Sequence, residues 1–453
     1  MKSQQDTIAA IGTASAPAAL GIVRVSGPES AAILKKLTHR DLLPSRRVLA
    51  GVVFDPITNE PLDEALFFYC AGPRTATGDD TAEIHGHGGP LVMARLLGAV
   101  LAAGARPAEP GEFTYRAFAN GRIDLTQAEA VMGLIGARSI RAARVALEQM
   151  TGSLGEVVSS QFAELSSIAA HVEAGLDFPD EDLPLALVET LLRRLNRLIE
   201  ALEQLVSSFA LGTKLTEGAK IAIVGPPNAG KSSLFNRFLN AERAIVDRDP
   251  GTTRDVVESH GEIAGVPVIF ADTAGLRETG SRVERVGIER SRTTAAQADL
   301  VLLVLDGTSK DVKKTGEAFI AMLDTDHKQK VVVVNKRDLD GFTEVSFGDQ
   351  APCCHLSAET GEGVDQLLEL MGRALSGEEQ QEMNILTTAR QHQAISEALE
   401  FVKGGTSLLK EGREPELVAA ELKWARETMS ALLGKSATEE MLDMLFSEFC
   451  IGK

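Results

Sequence analysis

The stretch Gly225-Pro226-Pro227-Asn228-Ala229-Gly230-Lys231-Ser232 stands between the apolar run KIAIV (Lys220–Val224) and a run that continues Ser233-Leu234-Phe235-Asn236-Arg237-Phe238-Leu239. A glycine-rich loop ending in Gly-Lys-Ser, with a strand before it and a helix after it, is the setting of a phosphate-binding loop. Glycines let successive backbone N–H groups turn inward around phosphate oxygens, and the following helix N-terminus adds positive partial charge. Asn228, Ala229, Gly230, Lys231, Ser232 and Ser233 are therefore candidate phosphate contacts. Lys231 reaches the β- and γ-phosphates as a candidate catalytic cation, and the Ser232 hydroxyl is a candidate Mg²⁺ ligand.

Outward from this loop, VPVIFAD (Val266–Asp272), DLVLLVLD (Asp299–Asp306) and KVVVVNK (Lys330–Lys336) are nearly continuous apolar runs of strand length. Strands buried on both faces read this way, and helical stretches separate them, so residues 218–376 predict a parallel sheet covered on both sides. Three short motifs fall at the ends of these strands, in order. Asp272-Thr273-Ala274-Gly275 offers a carboxylate toward Mg²⁺ through water and a glycine N–H toward the γ-phosphate. Asn335, Lys336 and Asp338 follow the VVVV run; the Asp338 carboxylate can accept from both N1–H and the exocyclic amine of guanine, a donor pair that adenine lacks. Ser357-Ala358-Glu359, after PCCHL (Pro352–Leu356), can give a backbone N–H to the guanine oxygen. Together they predict a GTP site. Between the first helix and the next strand, Asp247, Arg248, Asp249, Pro250, Gly251, Thr252 and Thr253 are assigned to the same site. Thr253 is a second candidate Mg²⁺ ligand, and Arg254 a further candidate catalytic cation.

A glutamine that orients the attacking water often follows the Asp-x-x-Gly motif. Here that position is Leu276, so another group must act, and the residues alone leave Glu278, Glu284 and Glu289 open.

The rest of the 453 residues predicts further domains. Residues 1–121 mix β-prone runs (Gly21–Gly27, Val48–Phe54, Ala65–Cys70) with a helix over Leu91–Gly104, an α+β pattern. Residues 122–217 and 377–453 read as helical. Apolar residues from Val188 to Phe209 recur at three-four spacing, as do Leu417, Val418, Leu422, Ala425, Met429 and Leu432, and Met441 to Phe449. Each stripe needs helical partners. The expectation is a helical bundle, built from segments before residue 217 and after 376, into which the α/β domain is inserted.

The net charge of −18 argues against broad electrostatic capture of nucleic acid. Arg138, Arg141 and Arg144 form the one basic stripe of note, and it reads first as a solvated helix face. His85 and His87 read as part of a glycine-rich loop rather than a metal site. Four cysteines without a Cys-x-x-Cys pair fit a reducing, cytoplasmic setting. Cys353-Cys354 reads as core packing, and Cys450 as either a terminal thiol or a nucleophile. The start carries no secretory pattern, and no run is long and apolar enough to span a membrane.

GPPNAGKSS, GTTRD, DTAGLRE and the terminal FCIGK, with GIVRVSGP, EIHGHGGP, GEFTYRAFANGRIDLTQAEA and LDFPDED, resemble the tRNA modification GTPases of the MnmE (TrmE) family over the whole chain. The resemblance implies a folate-binding-like N-terminal domain that forms a homodimer. It implies a helical domain carrying the GTPase domain, and action on tRNA in a heterotetramer with the FAD-dependent partner MnmG. It implies that the product is a carboxymethylaminomethyl or aminomethyl group at C5 of the wobble uridine, with its one-carbon unit from a tetrahydrofolate derivative. It further implies that GTP and K⁺ bring the GTPase domains together. On this resemblance Asn228, Asp247, Asp249 and Thr252 enclose K⁺, Glu284 orients water, and Arg24, Glu83, Arg122 and Lys453 contact folate. Asp247 stands where relatives carry Ser or Thr, and Arg122 where lysine is expected. The competing expectation is a GTP-dependent assembly factor, for instance in ribosome maturation, that modifies no base.

Overall fold

The computed structural model describes residues 6–176, 185–240, 259–270, 294–323, 329–376 and 384–452. The chain divides into two compact units: residues 1–132, 150–183 and 411–453 form one, and 133–149 with 184–410 the other.

The first unit is built on a six-stranded sheet of order β3-β4-β5-β2-β1-β6. Its strands are β1 (Ile8–Ile11), β2 (Ala18–Ser26), β3 (Leu49–Phe54), β4 (Pro61–Cys70), β5 (Thr81–Gly88) and β6 (Arg106–Pro107). All pairings are antiparallel except β1 with β6. Period-two alternation gives the sheet one apolar face. Val23, Val25, Phe67, Ala82 and Ile84 point into a core with Ile33 and Leu37 of the helix Ser30–Thr38 and Leu96 and Val100 of the helix Pro90–Ala103. β5 corrects the loop expected around His85 and His87. Only Ala82 and Ile84 mark its apolar face, and Gly86 and Gly88 hide the alternation. Both glycines are needed by packing: a Cβ at Gly86 would lie 2.5 Å from Asp63 Oδ2, and one at Gly88 2.6 Å from the Ala18 carbonyl oxygen.

Also in this unit, the helix Ser153–Leu176 packs along the helix Pro415–Leu432. Val418, Leu422, Ala425, Met429 and Leu432 are buried, whereas Leu417, placed on that stripe by its spacing, is 47% exposed because it lies one position off the seam. The short helix Glu439–Ser447 begins at Thr438, whose hydroxyl accepts from the Met441 N–H. It brings Phe446 edge-on to Tyr115 with centroids 5.5 Å apart. Phe446 and Phe449 close a small core with Leu125 and Ala128.

The second unit holds a sheet of order β12-β11-β10-β7-β9-β8. The strands are β7 (Ala219–Val224), β8 (Ser259–Ile263), β9 (Val266–Phe270), β10 (Leu300–Asp306), β11 (Gln329–Asn335) and β12 (Cys353–His355). Every pairing is parallel except the edge hairpin β8–β9, which the parallel-strand expectation missed. One face packs on the helices Lys231–Asn240 and Val364–Ser376, the other on Val312–Leu323. The helix Leu185–Thr216 runs along the helix Ala389–Lys410. In both units, then, helices from after residue 376 lie on helices from before residue 217. The helix Ile140–Met150 adds Ala142 and Val145 to the sheet's core. Among the described residues, no helix is long and apolar enough to cross a membrane.

Candidate functional site

Four strands of the parallel sheet deliver their carboxyl ends to one region: β7 to the phosphate loop, β10 to Asp306, β11 to Asn335, and β12 to Ser357. The order of the chain reverses around β7, which lies between β10 and β9, and such switch points open a crevice for ligands.

The phosphate loop is constrained by backbone proximity. Gly225 has φ +143°, and a Cβ there would come within 2.1 Å of the Val304 carbonyl oxygen on β10. Gly230 has φ +92°, and a Cβ would lie 2.1 Å from Asn335 Nδ2. Asn228 is exposed at φ +59°, a left-handed turn that asparagine tolerates. Lys231 Nζ folds over the loop and donates to the carbonyl oxygens of Gly225 (2.9 Å) and Pro226 (2.8 Å). Burial lowers its pKa, since a desolvated ammonium is disfavoured until an anion joins it. Ser232 and the exposed Ser233 occupy the first turn of the following helix.

Beyond the phosphate loop, buried Asn335 ties that loop to the Ser357–Glu359 loop. Its Nδ2 donates to the Ala229 carbonyl (2.9 Å) and its Oδ1 accepts from the Ala358 N–H (2.9 Å). Lys336, at φ +69°, pairs with Asp306 at 2.6 Å. Burial pushes the Asp306 pKa up, but hydrogen bonds from Lys336 and Thr308 outweigh it and hold the carboxyl below its ordinary value. Asp338 is exposed. Ser357 and Ala358 are buried, Glu359 is exposed, and the Ser357 hydroxyl accepts from the Thr360 N–H. The structure thus brings together Asn228, Ala229, Gly230, Lys231, Ser232, Ser233, Asn335, Lys336, Asp338, Ser357, Ala358 and Glu359. Asp247, Arg248, Asp249, Pro250, Gly251, Thr252, Thr253, Arg254, Asp272, Thr273, Ala274, Gly275 and Glu284 lie outside the described residues. Two residues of the site were not singled out from sequence: Asp306, and Arg237 of the helix Lys231–Asn240. Asp306 was legible as an acid ending a strand; Arg237 had no such signal.

A second polar cluster lies on the first unit's sheet. Arg24 and Glu83 are register partners on β2 and β5, and Arg24 Nε lies 3.0 Å from Glu83 Oε1. His85, two residues on and so on the same face, reaches Glu83 Oε2 at 2.7 Å. The chain terminus arrives beside them. Ile451 bridges to Pro110, and Arg24 Nη1 donates to the Gly452 carbonyl at 3.4 Å. Gly452, at φ +93°, has no room for a side chain: a Cβ would lie 2.5 Å from the Ile11 carbonyl oxygen. Arg122 is exposed on the turn that follows the helix Glu112–Ala119, and Lys453 lies outside the described residues. Cys450 is an exposed free thiol. Among the described residues no group of three or more His, Cys, Asp or Glu is placed to hold a metal. The basic stripe is a largely solvated helix face: Arg138 and Arg144 are exposed, Arg138 Nη1 lies 3.2 Å from His260 Nδ1, and Arg144 pairs with Glu148 one turn on at 3.1 Å.

Residues 7–122 match the family model for the GTP-binding protein TrmE N-terminus, and residues 125–450 the model for the MnmE helical domain. The chain belongs to the MnmE family. A tRNA modification GTPase MnmE of Koribacter versatilis is 39% identical over 99% of both chains. Proteins of the same name from Natranaerobius thermophilus (36%) and Aquifex aeolicus (38%) match 99% of this chain and 100% of their own. The solved G domain of the T. maritima FeoB iron transporter matches 34% of this chain at 25% identity with a TM-score of 0.26, too low to add to the assignment. Membership, with a phosphate loop at the carboxyl end of β7, makes the chain a GTP-binding protein and a GTPase.

Proposed function

We propose that GTP hydrolysis by this chain gates the modification of certain tRNAs at C5 of the wobble uridine. The partner is an FAD-dependent MnmG-type protein, and the group added is carboxymethylaminomethyl or aminomethyl. The observation that favours this over a GTP-dependent assembly factor is the polar cluster of the first unit: Arg24, Glu83 and His85, with the segment Ile451–Gly452 seated beside them, offer a tetrahydrofolate derivative charged and main-chain partners in one place.

In this proposal Lys231 exchanges the carbonyls of Gly225 and Pro226 for phosphate oxygens, and the helix behind it adds its N-terminal N–H groups. Asp338 reads N1–H and the amine of guanine. Ser232 and Thr253 are the hydroxyls that would hold Mg²⁺; Asn228, with the segment containing Asp247, Asp249 and Thr252, would hold K⁺. Hydroxyl, amide and carbonyl oxygens suit both hard cations, which when bound supply positive charge beside the phosphates. Glu284 orients the water. Arg24, Glu83, Arg122 and Lys453 face the folate, and two copies of the chain form the homodimer of a heterotetramer.

Mass analysis of tRNA nucleosides from cells lacking the protein tests the reading. Loss of the modified wobble uridine is expected, with restoration in vitro only when MnmG, GTP, folate and tRNA are all present. Normal wobble uridines in that strain would overturn it. Hydrolysis is expected to run faster in K⁺ than in Na⁺, and equal rates would remove Asn228 from its role.

A further inference from the structure

The phosphate loop and the base-reading loops come from different strands, and two side chains span the gap between them. Asn335 is the inner one. The outer one is Arg237, in the last turn of the helix that starts at Lys231. Arg237 Nε donates to the Ala358 carbonyl at 3.0 Å, and its Nη2 donates to the Glu359 carbonyl. Gly361, at φ +92°, lies against the guanidinium: a Cβ there would stand 3.5 Å from Nη1 and 3.6 Å from Cζ. The loop Ser357–Gly361 therefore wraps a single planar cation, whose fork serves two successive carbonyls at once.

Fixing those carbonyls fixes more than the loop's position. A peptide unit is planar and trans, so a carbonyl held toward Arg237 sends the N–H of the next residue the opposite way. For the Glu359 carbonyl, that N–H belongs to Thr360, and it is taken by the Ser357 hydroxyl. For the Ala358 carbonyl, it belongs to Glu359. The Ala358 N–H is itself engaged with Asn335 Oδ1. Among the described residues the Glu359 N–H shows no hydrogen-bond partner.

We infer that Arg237 is a specificity-positioning residue: it aims the Glu359 N–H at the oxygen on C6 of guanine and couples that donor to the helix that holds the phosphates. This rests on the GTP-site reading above. Arg237 touches neither phosphate nor base, and it acts through the loop.

The test uses the full chain and its Arg237→Ala and Arg237→Lys variants. Binding of GDP is compared with binding of 2-aminopurine riboside 5′-diphosphate, which keeps the exocyclic amine and lacks the oxygen at C6 and, with it, the N1–H; each variant is read against wild type on the same nucleotide. Arg237→Ala is expected to raise the GDP dissociation rate and the KM for GTP about tenfold, with kcat at saturation held. The affinity for the 2-aminopurine nucleotide is expected to stay within about twofold of wild type, because the aimed donor has nothing to meet there. Arg237→Lys restores part of the loss, since an ammonium serves one carbonyl better than two. A merely structural role weakens both nucleotides equally, and that result, or an unchanged GDP dissociation rate, overturns the inference. Wild-type protein that binds no guanine nucleotide would instead overturn the functional reading itself, so the two failures are distinguishable.

Discussion

The two six-stranded sheets place function in opposite ways. In the antiparallel sheet the polar cluster sits on the strands: Arg24 and Glu83 meet because β2 and β5 pair in one register, and His85 joins them by the period of two. A one-residue slip would turn those side chains to the apolar face. In the parallel sheet the strands carry almost nothing but apolar bulk, and the site lies in loops beyond their carboxyl ends, shaped by backbone approach at Gly225 and Gly230. Register fixes one site, and close main-chain packing fixes the other. The first should fail on lost pairing, and the second on volume added where the main chain packs closely.

The largest break in that contrast is expected from Gly230→Ala. A methyl group would collide with Asn335 Nδ2, 2.1 Å away, at a φ that disfavours any side chain. Calorimetry is expected to show GDP affinity reduced at least about 1,000-fold, with the first unit's melting unchanged. Asp338→Asn follows: it leaves the loop backbone alone and exchanges an acceptor for an amide, so GTP is expected to lose about 100-fold in affinity and its preference over ATP. Retained preference would remove Asp338 from base reading. Next is Gly452→Ala, which meets the Ile11 carbonyl and strains the terminus by about 1–3 kcal/mol. It is expected to lower tRNA modification by about tenfold while GTPase turnover stays at the wild-type value, which sharpens the separation of the two sites. The smallest effect concerns the ion cluster behind β1 and β6. Asp6 bridges Arg106 and Arg116 at 2.6 Å each. Burial raises its pKa, yet the two arginines outweigh this and hold it below the usual carboxylate range. A depressed carboxyl stabilises the fold above its unfolded pKa of about 4, and that stability fades as pH falls through the lower folded value. Asp6→Asn is expected to lower Tm by about 2–4 °C at pH 7, a modest figure because the group is partly solvent-screened, with the gap to wild type closing toward pH 3.

What the sequence disclosed follows from the same contrast. Loops that must approach a phosphate or a guanine edge need fixed residue types, so Gly225–Ser232, Asn335–Asp338 and Ser357–Glu359 were readable as motifs. Buried parallel strands such as Leu300–Asp306 announced themselves as unbroken apolar runs. β5 did not, since two histidines and two glycines mask its alternation, and neither did β8, an edge strand whose polar His260 and Glu262 are only half-buried. Arg237 was invisible for a different reason. Its partners are main-chain carbonyls, which every residue possesses, and an arginine late in an amphipathic helix reads as a solvated face.

On the proposed reading, one crevice at the carboxyl ends of β7, β11 and β12 grips phosphate and guanine together. Titration of the purified full chain with GDP and with ADP, in the presence of Mg²⁺, tests it most directly. Saturable GDP binding at one site per chain is expected, with a preference over ADP of at least about 1,000-fold. Comparable affinities for the two nucleotides, or no binding of either, would contradict it.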